Sequence, residues 1–195
     1  MAQKIGLVLA GGRGERLGRS KGDLAVDGVA LAQRAAEALF PHCGSVLISI
    51  AQGAENPAPD WPAIEDFPPP GRGPLAGIAS AFKVSGDADL LVLACDYPQV
   101  DATLMGALAA VSLDDVDLVM PTDAAGRDHP LVASWSRRMH PIVDDALDAG
   151  RFRVQGLFPD CRVRRLAPDQ LPVADAGAPL HNVNFPTDLT NYRHD

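Results

Sequence analysis

The segment Leu9-Ala-Gly-Gly-Arg-Gly-Glu-Arg-Leu-Gly-Arg-Ser-Lys21 follows an apolar run from Ile5 to Ala10 and mixes glycines with Arg13, Arg16, Arg19 and Lys21. Glycines allow backbone N–H groups to come close to phosphate oxygens, and the cations beside them can neutralise a polyphosphate. The segment is not a Walker loop, because no Lys-Ser/Thr pair follows its last glycine, and it misses the dinucleotide pattern G-x-G-x-x-G by one position. The competing reading is a tight connection between elements. Four cations in so short a turn favour phosphate binding over that reading.

Other candidates lie further along the chain. Asp96 ends the apolar run Leu90-Leu-Val-Leu-Ala-Cys95 and precedes Tyr97-Pro98. A lone Asp there can be a turn or helix cap. Opposite a phosphate loop it is instead a hard oxygen ligand suited to Mg²⁺, which takes one or two carboxylates plus phosphate oxygens and water. Asp87-Ala-Asp89 looks like a D-x-D metal motif, but it precedes its strand and reads as a solvated turn. His129, in Gly126-Arg-Asp-His-Pro130, reads as a loop or packing residue, because no second His or Cys lies at metal-ligand spacing. No nucleophile elbow and no Ser-His pair is evident, so binding and orienting phosphates is the chemistry that remains.

The elements that must position these residues alternate. Ile5–Ala10, Ser45–Ile50, Ala63–Asp66 and Leu90–Cys95 read as buried strands, with further strands at 116–120 and 130–135. Helices are expected near 29–40, 74–84, 102–111 and 137–149, the second with Pro74 in its first turn. Seven of the 17 prolines fall between Pro57 and Pro74, so that stretch is loop apart from one short strand. Alternating strands and helices imply an α/β fold: a mostly parallel central sheet covered on both faces. Ligands bind such sheets at the carboxyl ends of the strands. That rule selects the turn after Ala10, Asp66 and Asp96.

With 195 residues the chain has room for a single domain, and 47% hydrophobic against 22% charged residues supplies a packed core. No apolar run approaches a membrane helix, no export signal is evident, and Cys43, Cys95 and Cys161 form no disulfide or zinc pattern, so a cytoplasmic location is expected. The net charge of −8 argues against nucleic acid or an anionic membrane as partner. Locally the sign reverses. Residues 11–22 carry a net +3, and residues 151–165 carry five arginines against Asp160, which suggests a confined anionic ligand unless the second cluster is chance patterning.

The motif Leu9-Ala-Gly-Gly-Arg-x-x-Arg16-x-Gly18-x-x-Lys21 resembles the signature of nucleotidyltransferases that act on molybdopterin, and Leu-Ala-Gly-Gly resembles the guanylyl branch. Five further blocks are similar to those of the molybdenum cofactor guanylyltransferase family: Glu65-Asp66 with Gly73-Pro-Leu-Ala-Gly77, Cys95-Asp-Tyr-Pro98, Gly126-Arg-Asp-His-Pro130, Ala149-Gly-Arg-Phe-Arg-Val154 and Asn182-Val-Asn-Phe-Pro186. Together they run from about residue 4 to 190. The resemblance implies a three-layer Rossmann-like nucleotidyltransferase fold, with GTP bound by the N-terminal half and molybdopterin by the C-terminal half. It implies transfer of GMP from GTP to molybdenum-molybdopterin, with release of pyrophosphate. Leu9, Ala10 and Gly11 would contact guanine and ribose, Gly12 would also bind GTP, Arg16 and Lys21 would hold the phosphates, and Asp66 would help hold the nucleoside. Asp96 would bind Mg²⁺ and GTP. Ser49 stands where the family often has Asn in the nucleoside site, and Gly18-Arg19 stands where it commonly has Gly-Gly. Arg153, Asn182 and Asn184 would hold the pterin substrate. Catalysis would be an in-line attack on the α-phosphorus, with Lys21 and Arg16 stabilising the leaving pyrophosphate. A monomer is expected, with cofactor-insertion and accessory proteins as further partners. The alternatives are a molybdopterin cytidylyltransferase, a sugar-1-phosphate nucleotidyltransferase, against which Asn182-Val-Asn184 argues, and a nucleotide-binding regulator without catalysis.

Overall fold

The computed structural model of the protein describes residues 4–11, 21–66, 71–172 and 180–183. Its centre is a seven-stranded sheet. β1 (Lys4–Leu9) is followed by a small hairpin of β2 (Ala25–Val26) and β3 (Val29–Ala30), then α1 (Leu31–Leu39), β4 (Ser45–Ile50) and β5 (Ala63–Glu65). Next come α2 (Pro74–Ser85), β6 (Asp89–Ala94), α3 (Ala102–Ala110), β7 (Leu118–Pro121), β8 (Val132–Trp135), α4 (Met139–Asp148) and β9 (Val163–Leu166). The order across the sheet is β5-β4-β1-β6-β8-β7-β9. β8 alone runs against its neighbours; the other adjacent pairs are parallel.

The two faces of the sheet come from the two-residue alternation of each strand. Val8, Leu91 and Leu93 face α1 and α3, where they meet Ala35, Leu39, Leu104 and Leu108. Leu7, Leu90 and Val92 face α2 and α4, where they meet Ile78, Phe82, Val143 and Leu147. All of β6 is buried, which is why it reads as an unbroken apolar run. Each fully buried aliphatic side chain stabilises the fold by roughly 1.5–3 kcal/mol, so the sheet interior dominates its stability. Asp101 starts α3 as an N-cap, its side chain accepting from the Leu104 amide at 2.9 Å.

Several expectations are corrected. Residues 29–30, expected in the first helix, belong to the hairpin. Its turn, Asp27-Gly28, has φ of 51° and 78°, the left-handed pair that an Asp-Gly two-residue turn adopts. Asp89 is not a solvated turn residue. It opens β6, is 7% exposed, and accepts from the Arg137 amide at 2.9 Å. β9 was expected only as part of a basic cluster. Arg164 and Arg165 occupy its middle and are exposed, so its apolar period is too short to recognise.

Candidate active site

Strand register brings the expected residues to one edge. Leu9 pairs with Ser49 on one side and with Ala94 on the other, while Ile50 pairs with Glu65. The carboxyl ends of β1, β4, β5 and β6 therefore align, and Gly11, Asp66 and Asp96 leave from that edge. The chain runs outward from β1 through β4 to β5 and then returns to β6 on the other side of β1. That reversal is a topological switch point, where sheets of this kind form a ligand crevice.

The turn after β1 is held by backbone. The Ala10 and Gly11 amides both donate to the Ser49 carbonyl at 3.0 Å, and the Leu9 carbonyl accepts from the Cys95 amide at 3.2 Å. The Ala10 and Gly11 N–H groups are thus engaged within the sheet edge. Gly11 is needed for space, because a Cβ there would lie 2.7 Å from Asp66 Oδ2. Lys21 opens a short 3-10 turn, Lys21–Asp23, whose Gly22 packs against Pro57 and Ala10, so the turn returns to the end of β1. Gly12, Arg16 and Asn184 lie outside the described residues, as does the Lys21 side chain.

Ser49 is 1% exposed and its hydroxyl donates to Asp66 Oδ1. It reaches the crevice through Asp66 rather than with its own surface. Burial pushes the Asp66 carboxyl up from its ordinary value, and the Ser49 hydrogen bond partly offsets this. α2 closes over the pair at Gly77, where any Cβ would run into the Ser49 hydroxyl and reach 3.1 Å from Asp66 Oδ1. Asp96 is half-buried at the end of β6, and its backbone carbonyl accepts from the Val183 amide at 2.8 Å. Among the described residues no group of three or more His, Cys, Asp or Glu side chains could hold a metal ion. A Mg²⁺ ion here would take one or two carboxylates and complete its shell with phosphate and water, and the hard oxygens of Asp96 fit that role.

Beside Asp96 lies a cavity of about 370 Å³, in the range of small-molecule sites. Arg153 and Asn182, far apart in sequence, both line it, together with Tyr97, Arg127, His129 and Phe152. His129 is 4% exposed; its Nδ1 lies 3.2 Å from the Tyr97 hydroxyl and its Nε2 3.4 Å from Asp123 Oδ2. Burial lowers the His129 pKa, against the pull of Asp123. Burial raises that of Tyr97, helped by the neighbouring Asp96 charge. His129 therefore packs, as expected, and also faces a cavity, which was not expected. Tyr97 and Phe152 were missed as site residues; the available signal was that each adjoins a residue singled out, Asp96 or Arg153.

The second basic cluster is largely neutralised. Arg151 pairs with Asp160, Arg162 with Asp117 and Arg165 with Asp128, and of the five arginines only Arg153 lines the cavity. Charge patterning alone overstated this cluster as a ligand site.

Solved structures share the fold. That of molybdopterin-guanine dinucleotide biosynthesis protein A from Archaeoglobus fulgidus superimposes with a TM-score of 0.79 at 22% identity, covering 97% of this chain and 96% of that one. That of 2-C-methyl-D-erythritol 4-phosphate cytidylyltransferase from Thermus thermophilus gives 0.67 at 18% identity, covering 98% and 97%. The sequence model of the MobA-like NTP transferase domain matches residues 6–158, so fold and site edge define an enzyme of the nucleotidyltransferase class. Two relatives narrow this further. A protein of Pelotomaculum thermopropionicum named as a molybdenum cofactor guanylyltransferase is 30% identical over 99% of this chain and 93% of its own length. One of the same name from Bacillus subtilis is 35% identical over 79% of this chain and 77% of its own. The chain belongs to the molybdenum cofactor guanylyltransferase family.

Proposed function

We propose that the protein transfers GMP from GTP to molybdenum-molybdopterin, forming the guanine dinucleotide cofactor and pyrophosphate. The observation that carries this reading is the adjacency of two sites. Asp66 stands against Gly11, Asp96 follows β6 beside the end of β1, and the cavity lined by Arg153 and Asn182 begins at Tyr97, the next residue after Asp96. A nucleotide on one side of Asp96 and a phosphorylated acceptor on the other could meet in line. The names of the relatives supply the substrates for that geometry.

In this reading the N-terminal half of a single domain binds GTP and the C-terminal half binds the pterin, within a monomeric, cytoplasmic enzyme. Among the described residues no helix is long and apolar enough to cross a membrane. Leu9, Ala10, Gly11 and Gly12 wall the nucleoside site. Asp66, braced by Ser49, accepts hydrogen bonds from the nucleoside. Arg16 and Lys21 hold the phosphates and stabilise the departing pyrophosphate. Asp96 would hold Mg²⁺, which supplies charge neutralisation at the α-phosphate when bound. Arg153, Asn182 and Asn184 hold the acceptor so that its phosphate faces the α-phosphorus. Positioning and charge stabilisation suffice for this transfer, and no protein nucleophile is needed.

The test is pyrophosphate release with molybdenum-molybdopterin and Mg²⁺, comparing GTP, CTP and ATP in one preparation. Release with GTP alone is expected. Release with CTP would keep the mechanism and overturn the base, whereas GTP binding without release from any nucleotide would indicate a regulator.

A further inference from the structure

The cavity contains a hydrogen-bond relay with a fixed direction. Asp123 Oδ1 accepts from the Ala125 amide at 2.9 Å and the Arg127 amide at 2.8 Å, while Oδ2 faces His129 Nε2. These contacts hold the Asp123 carboxyl below its usual range, the Arg127 amide foremost, so the group is ionised and can only accept. Nε2 of His129 must then carry the proton. In a neutral imidazole that leaves Nδ1 as the acceptor, and the Tyr97 hydroxyl donates to it. With its one proton committed, the Tyr97 oxygen has only lone pairs to offer an occupant. The rings also meet edge to face, centroids 5.8 Å apart, which fixes the phenol in place.

We propose that Tyr97, aligned by Asp123 and His129, is a specificity-determining acceptor that selects a flat heterocycle bearing ring N–H or amino donors in the cavity beside Asp96. A phosphate oxygen has no proton to give it, so the anionic part of the same ligand is left to Arg127 and Arg153. Pro130, Leu131, Val154 and Phe152 add the apolar walls that a flat ring requires. The inference deepens the proposed function and rests on it for one identification, that the heterocycle is the pterin of the acceptor substrate.

The experiment uses the full chain at pH 8 in two parts. Binding of 6-hydroxymethylpterin is followed by its fluorescence in the wild type and in Tyr97→Phe, with GTP binding and thermal melting measured alongside. A three- to tenfold weaker pterin affinity is expected, the range of one net hydrogen bond, with GTP affinity and melting unchanged. Nitrogen-15 NMR of the wild-type histidines then reports the His129 tautomer, with unprotonated Nδ1 expected. Undiminished pterin binding in Tyr97→Phe, equal loss for pterin and GTP, no pterin binding by the wild type, or a protonated Nδ1 would each overturn the inference. Tyr97-dependent pterin binding without pyrophosphate release from GTP would uphold it while defeating the transfer reaction. Pyrophosphate release with pterin binding indifferent to Tyr97 would do the reverse.

Discussion

In the proposed reaction Asp96 is the residue on which both sites turn. Its side chain stands at the end of a fully buried strand, and the hydrogen bond that ties Val183 to it uses its backbone carbonyl. Asp96→Ala therefore leaves the local chain tie in place while removing the hard oxygen ligand. Pyrophosphate release is expected to fall by at least about a hundredfold, with thermal melting close to wild type, since charge stabilisation at a transferring phosphate contributes several kcal/mol. Near-normal turnover would remove Asp96 from the metal and nucleotide role. Its position was legible in the sequence because a carboxylate that ends an apolar run must emerge at a sheet edge. The role of Ser49 was less legible. A short hydroxyl gives no sign in sequence that it will turn inward to a carboxylate 17 residues away, nor that α2 will approach the pair so closely at Gly77.

Among the elements, the strands of the buried half were readable within a residue or two, because burial on both faces writes itself as an unbroken apolar run. The outer half was harder at β9, which is short and largely exposed, whereas β7, expected at 116–120, lies at Leu118–Pro121 and is wholly buried. A charge cluster braces the approaches of both strands. Asp117 accepts from Arg138 Nε at 2.8 Å, from the Arg162 amide at 2.9 Å, and from the Arg162 side chain at 3.1 Å through two nitrogens. One carboxylate thus joins the start of α4 to the approaches of β7 and β9. No pattern in sequence announces a cluster whose members stand 21 and 45 residues apart. These bonds, the Arg162 side chain foremost, hold the Asp117 carboxyl well below the usual range. A carboxyl whose folded pKa is depressed adds stability above its unfolded pKa of about 3.9, and that contribution is lost as pH falls below it. Both arginines keep much of their surface in water, so Asp117→Asn should cost a moderate ~1–3 kcal/mol at pH 7. Urea unfolding at pH 7 and at pH 3 checks this. The gap between wild type and variant should narrow at the lower pH, and a constant gap would mean that Asp117 acts by packing alone.

At the scale of the whole molecule, the proposed transfer asks an acidic chain to attract two anionic substrates. The net charge of −8 is no help at long range, so the attraction must be local. Acidic partners on neighbouring elements occupy Arg151, Arg162 and Arg165, whereas Arg153 lines the cavity together with Tyr97 and His129. The crevice at Asp66 and the cavity at Arg153 are built from different strands, so damage to one should be separable from damage to the other. Arg153→Ala is expected to raise the KM for molybdenum-molybdopterin about tenfold or more, the scale of a lost charge-assisted hydrogen bond, and to leave the KM for GTP unchanged. Steady-state kinetics with each substrate varied in turn measures both constants. Equal rises in the two would mean that Arg153 serves a shared surface, and the division of labour between the halves of the sheet would then fail. A selective rise that raised ionic strength reproduces in the wild type, and not in the variant, would identify the interaction as the charge on this one guanidinium.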